Sequence, residues 1–70
     1  MSEWRSSKAK RVLVALKSIG WRVKRQSGSH KILEHSDFPD VVFAFHDGDE
    51  LGPRMLARLA KHTGLKPSDL

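Results

Sequence analysis

The run Gly28-Ser29-His30-Lys31, with Arg25 shortly before it, is the part of the chain best equipped for chemistry. Imidazole changes protonation near neutral pH and serves as general acid or base. Neighbouring cations hold a phosphate and stabilise charge developing on it. Gly28 lets a backbone approach closely, and the Ser29 hydroxyl or amide can reach a phosphate oxygen. An RNA 2′-hydroxyl activated by His30 could attack its own phosphodiester. That reaction needs neither a metal nor a thiol, and the chain has no cysteine. The plainer reading is a surface histidine at the start of a strand.

The other histidines are weaker candidates. His46 precedes Asp47-Gly48-Asp49-Glu50. Imidazole and carboxylates bind divalent ions, but this spacing matches no defined calcium loop or zinc motif. The competing reading is a turn whose acids favour the N-terminus of the second helix. His35 is offset from His30 by an odd number, so on a strand the two face opposite ways. Glu34 shares the His30 face but is ~13 Å away on an extended strand. His62 flanks the apolar face of the second helix and reads as packing or surface.

Charge is unevenly spread. The 70 residues carry 13 Lys or Arg and 8 Asp or Glu, a net charge of +5. Residues 1–31 hold nine of the bases and a single acid, Glu3, whereas residues 32–70 are net acidic. Such a split points to a basic binding face. Lys10, Arg11 and Lys17, with Arg22 and Lys24, could track a nucleic-acid backbone through phosphate contacts. A solvated helix face beside a charged edge strand is the alternative. The absence of cysteine excludes a disulfide framework and thiolate zinc sites. The N-terminus lacks an apolar core of signal-peptide length, and no apolar run is longer than Val41–Phe45, too short to span a bilayer. These features predict a single cytoplasmic domain, residues 1–70, built on one core.

The elements that must carry these groups follow from periodicity. Ala9, Val12, Leu13, Leu16 and Ile19 recur at helical spacing, with Ser6 or Ser7 as cap and Gly20 as stop. The period then falls to two. Trp21 and Val23 alternate with Arg22 and Lys24, Ser27–Ser29 is turn chemistry, and His30–His35 reads as the next strand. Ser36–Asp40, with Pro39, predicts a second turn, and Val41–Phe45 a third strand. Pro53 opens a second helix whose apolar face is Met55, Leu56, Leu59 and Ala60, and Gly64 ends it. Trp21 is expected in the core; Trp4 is a staple-like contact or exposed. The order α-β-β-β-α predicts an α+β two-layer sandwich, a three-stranded antiparallel sheet with two helices on one face. Double-stranded-RNA-binding domains share that arrangement. Their lysine cluster at the start of the second helix is replaced here by Gly52-Pro53-Arg54, which disfavours duplex reading of the usual kind.

The sequence also resembles a family, the HicA-type (YcfA-like) mRNA interferase toxins. The features that carry the resemblance are Gly20-Trp21, Val23-Lys24-Arg25-Gln26, Gly28-Ser29-His30-Lys31-Ile32, the Val41–Phe45 strand with His46, Leu51–Ala60, and Gly64-Leu65. The resemblance spans roughly residues 6–70. It implies a dsRBD-like fold and an endoribonuclease that cleaves mRNA as the toxin of a type II toxin–antitoxin system. It implies His30 as the catalytic residue, and a HicB-type antitoxin as partner besides RNA. Lys31 and Arg25 would then contact the phosphate of the bound RNA, and Ser29 and Gly28 would shape the RNA-binding loop. A non-catalytic RNA-binding module of the same fold and a protein-interaction domain are the alternatives.

Overall fold

The computed structural model describes residues 3–70; Met1 and Ser2, the first positions of the expected domain, lie outside them. The elements run β1 (Ser7–Lys8), α1 (Ala9–Ser18), β2 (Arg22–Ser27), β3 (His30–His35), β4 (Phe38–Ala44), β5 (Glu50–Leu51) and α2 (Pro53–Thr63), then a 3-10 turn at Pro67–Asp69. Strands β2, β3 and β4 form the expected three-stranded antiparallel sheet in sequential order. The α+β sandwich is therefore observed, with both helices contributing to one core against one sheet face.

Helix α1 buries Ala9, Val12, Leu13, Ala15 and Leu16, a stripe at helical spacing. Its end is a Schellman motif. The Trp21 amide donates to the Leu16 carbonyl (3.1 Å) and the Gly20 amide to that of Lys17 (3.2 Å). Gly20 takes φ +106° to allow this. Trp21 is thereby delivered into the core, 1% exposed, where its Nε1 donates to the Thr63 carbonyl at 3.0 Å.

The start of α1 differs from expectation. Neither Ser6 nor Ser7 caps it; Ser7 lies in β1 and pairs with Leu51. The first amides of the helix instead find backbone carbonyls in the turn before β5. Ala9 donates to Asp49 (2.8 Å) and Lys10 to Asp47 (3.2 Å). The acidic turn expected to favour the second helix therefore closes the first. Helix α2 has Gly52 at its N-cap, Pro53 in its first turn and no acid there.

Two further boundaries shift. Strand β4 begins at Phe38, so Pro39 lies inside a strand rather than a turn. Strand β4 is an edge of the sheet, where a missing amide costs no ladder bond. On α2, Leu56, Leu59 and Thr63 are the buried positions, while Met55 is 38% exposed. Thr63 is accepted in the core because its hydroxyl donates to the Leu59 carbonyl (2.9 Å) and accepts from the Leu65 amide (3.2 Å). Trp4 is half-buried and packs against the core, as does Leu70.

Candidate active site

The hairpin between β2 and β3 sets the position of His30. Ser27 pairs with His30, leaving Gly28 and Ser29 as a two-residue turn. Gly28 takes φ +61° and Ser29 does not have positive φ, the pattern of a type II′ turn, which suits the twist of adjoining strands. Gln26 Nε2 donates to the Gly28 carbonyl at 3.1 Å and braces the turn.

Side-chain alternation then settles which face His30 occupies. Ile32 and Leu33 are both apolar and adjacent, so sequence alternation alone does not say which of them faces the core. Leu33 is fully buried and belongs to the core with Phe43. His30 is an odd number of residues from Leu33, so it lies on the outer face of the sheet, away from the helices. It is exposed there. Its cross-strand partners are Ser27 and Ala44. Arg25 pairs with Ile32 and is a diagonal neighbour of His30 on that face, roughly 7–8 Å off. Exposed Val42 pairs with Ile32 beside them.

Lys31 goes the other way. It pairs with Phe43 and Gln26 on the helix side. There it lines an open groove of about 380 Å³ with Gly28, Ser29, Phe45, His46 and Asp47. His30 and Lys31, adjacent in sequence, therefore present to two sides of the hairpin tip. The groove wall is fixed by a closed turn: the His46 amide donates to Asp49 Oδ2 (2.9 Å) and the Asp49 amide to the His46 carbonyl (3.0 Å). Asp49 is thus a positioning group, and Asp47, whose own carbonyl accepts from the Lys10 amide, lines the groove.

The cations expected to act together are divided. Lys10, Arg11 and Lys17 are exposed on α1, in the layer behind the sheet. Arg22 is paired with Glu34 at 3.4 Å and Lys24 with Asp40 at 2.9 Å. The Asp40 hydrogen bond and charge hold the Lys24 ammonium above its ordinary range. Exposed pairs of this kind are weak, yet they partly neutralise the far end of β2. Among the described residues, Arg25 and Lys31 make no ion pair, and these two flank the hairpin tip. His35 faces the core side, packed on Trp21 and Phe38. Its Nε2 lies 3.0 Å from the Ile19 carbonyl and its Nδ1 accepts from the Asp37 amide at 3.0 Å. That occupies both ring nitrogens. His62 is exposed on α2.

Sequence reasoning had not singled out Phe45 as a site residue, and had weighed Asp47 only within the acidic turn after His46. Once Phe43 is known to face the core, the same parity puts Phe45 with Lys31. Among the described residues, no group of three His, Asp or Glu side chains converges as metal ligands would. No helix among them is long and apolar enough to cross a membrane. Compared with known proteins, the chain matches the family model described as HicA toxin of bacterial toxin-antitoxin over residues 9–65. No curated protein matches it.

Proposed function

The chain belongs to the HicA toxin family of bacterial toxin–antitoxin systems, and from that premise we propose that it is an mRNA-cleaving endoribonuclease with His30 as its catalytic residue. One observation carries the reading. His30 is exposed on an open sheet face directly after a tight, braced glycine turn, with the unpaired Arg25 as diagonal neighbour.

In this reading, the His30 imidazole takes the proton of an RNA 2′-hydroxyl. The 2′-oxygen bonds to the adjacent phosphorus and the bond to the 5′-oxygen breaks. The departing 5′-oxygen takes a proton from the imidazolium or from water. Products carry a 2′,3′-cyclic phosphate and a 5′-hydroxyl. Arg25 faces the non-bridging oxygens as charge builds on them. Lys31, Gly28 and Ser29 hold the strand as it turns round the hairpin tip. Lys10, whose amide is bonded to Asp47, starts a basic track along α1 through Arg11 and Lys17. Arg22 and Lys24 contribute after releasing their acids.

The partner is a HicB-type antitoxin that covers the outer sheet face, where Val42 is 62% exposed beside Ile32 and His30. Toxin and antitoxin act in the cytoplasm, where mRNA is found. The test is cleavage of single-stranded RNA with excess chelator, by wild type and His30→Ala. Cleavage at equal rate with and without chelator, lost in the variant, is expected. Salt-sensitive binding without cleavage would favour a non-catalytic RNA module instead. Binding of the antitoxin but no RNA at low salt would favour an interaction domain.

A further inference from the structure

We infer that the groove between the Gly28–Ser29 turn and the Phe45–Asp47 segment is a nucleobase subsite, selective for guanine, beside the scissile linkage. The inference rests on the ribonuclease reading above and adds substrate selectivity to it.

The groove combines groups that a plain phosphate clamp would not. Lys31 supplies one positive charge, and Asp47 supplies a negative one that repels phosphate. Neither makes an ion pair or side-chain hydrogen bond among the described residues. Both are therefore free for a ligand that is anionic at one end and donates hydrogen bonds at the other, as a nucleotide is. Phe45 is half-buried, held edge-on against Phe43 with ring centroids 5.1 Å apart. Its ring offers aromatic surface of the kind on which bases stack. The volume, about 380 Å³, is ample for one nucleotide.

Asp47 decides the choice of base. A carboxylate presents two acceptor oxygens. Guanine offers two adjacent donors, N1–H and the N2 amine, on its Watson–Crick edge. Adenine and cytosine offer one amine beside a ring acceptor. Uracil offers a single N–H between two carbonyls, which a carboxylate repels. Guanine should rank first and uracil last. The location is consistent with a flanking nucleotide. Continuing the β3–β4 register beyond Ala44 puts Phe45 opposite Ser29, the turn residue directly before His30.

The test uses matched RNA oligonucleotides that differ only at the base flanking the cut. Wild type should cleave the guanine substrate at least about five-fold faster than the uracil one, the low end for a bidentate base contact. Asp47→Asn should bring the two within about two-fold by slowing guanine. Absence of base preference, or a preference unchanged by Asp47→Asn, would overturn the subsite and leave the nuclease intact. If wild type cleaves no RNA, the nuclease reading fails, and the subsite is judged by NMR titration with 3′-GMP and 3′-UMP. Shifts at the Ser29, Lys31 and Asp47 amides with 3′-GMP, weakened in Asp47→Asn, support it. No shift, or equal shifts with both nucleotides, overturns it.

Discussion

Substituting alanine at Gly20 disturbs the backbone and a neighbouring side chain at once. Gly20 has φ +106°, a region that residues with a Cβ rarely adopt. Holding alanine there costs about 1–3 kcal/mol. The added Cβ would also lie 2.8 Å from His35 Nε2. That ring cannot easily retreat. It is fixed by the Ile19 carbonyl, the Asp37 amide and the Trp21 and Phe38 rings. Losing the contact to the Ile19 carbonyl adds about 1 kcal/mol. The expected total is ~2–4 kcal/mol, against roughly 4–10 kcal/mol of stability for a chain this size. Urea denaturation followed by tryptophan fluorescence measures it directly. The melting temperature should fall by about 4–8 °C for each kcal/mol lost. Repeating the substitution in a His35→Ala background isolates the clash, because there only the backbone strain remains. A loss within 0.5 kcal/mol of wild type would refute the strain argument. An equal loss in both backgrounds would refute the clash.

Asp49→Ala removes the acceptor for the His46 amide; a loss of about 1 kcal/mol and faster amide exchange at His46 are expected, with cleavage slowed more than stability alone explains. His35 Nε2 should donate to the Ile19 carbonyl, since Nδ1 accepts from the Asp37 amide; nitrogen NMR shifts that put the donor on Nδ1 would contradict the clamp. Arg25→Ala and Lys31→Ala should each reduce the salt dependence of RNA binding by about 0.7 of a log unit per log unit of salt. Arg22→Ala and Lys24→Ala should reduce it less, because each cation must first leave Glu34 or Asp40.

The sandwich and the hairpin were legible because their signals are local. Helical spacing through Leu16, the glycine stops at Gly20 and Gly64, and the change of period at Trp21 each lie within a few residues of the structure they dictate. The start of α1 was not legible, because its amides are satisfied by Asp47 and Asp49. Those backbone carbonyls leave no side-chain signature in sequence. Pro39 read as a turn because proline breaks most strands, and only its edge position makes it tolerable. His30 stood out from its neighbours in sequence, but its face hinged on which of Ile32 and Leu33 is buried. The split between His30 and Lys31 follows from that single fact, and adjacent residues in a strand cannot serve one side of it. The opposed charges of the groove escaped notice for a similar reason. Lys31 and Asp47 come to one groove only through the β3–β4 pairing.

The long-range closure of α1 has a consequence for assembly. His30 and the whole three-stranded hairpin array lie before residue 45, so they exist in a chain that is still being extended. The groove wall, closed locally by the His46–Asp49 turn, is not tied to α1 until Glu50 and Leu51 pair with Lys8 and Ser7 and the Asp47 and Asp49 carbonyls reach the helix. Contacts spanning such a distance form late, after their loop has closed. A fragment ending before Glu50 therefore retains the imidazole and lacks the β1–β5 pairing that ties the wall to the helix. Ser7–Lys8 and Glu50–Leu51 must meet before the second side of the hairpin tip is anchored to the helix.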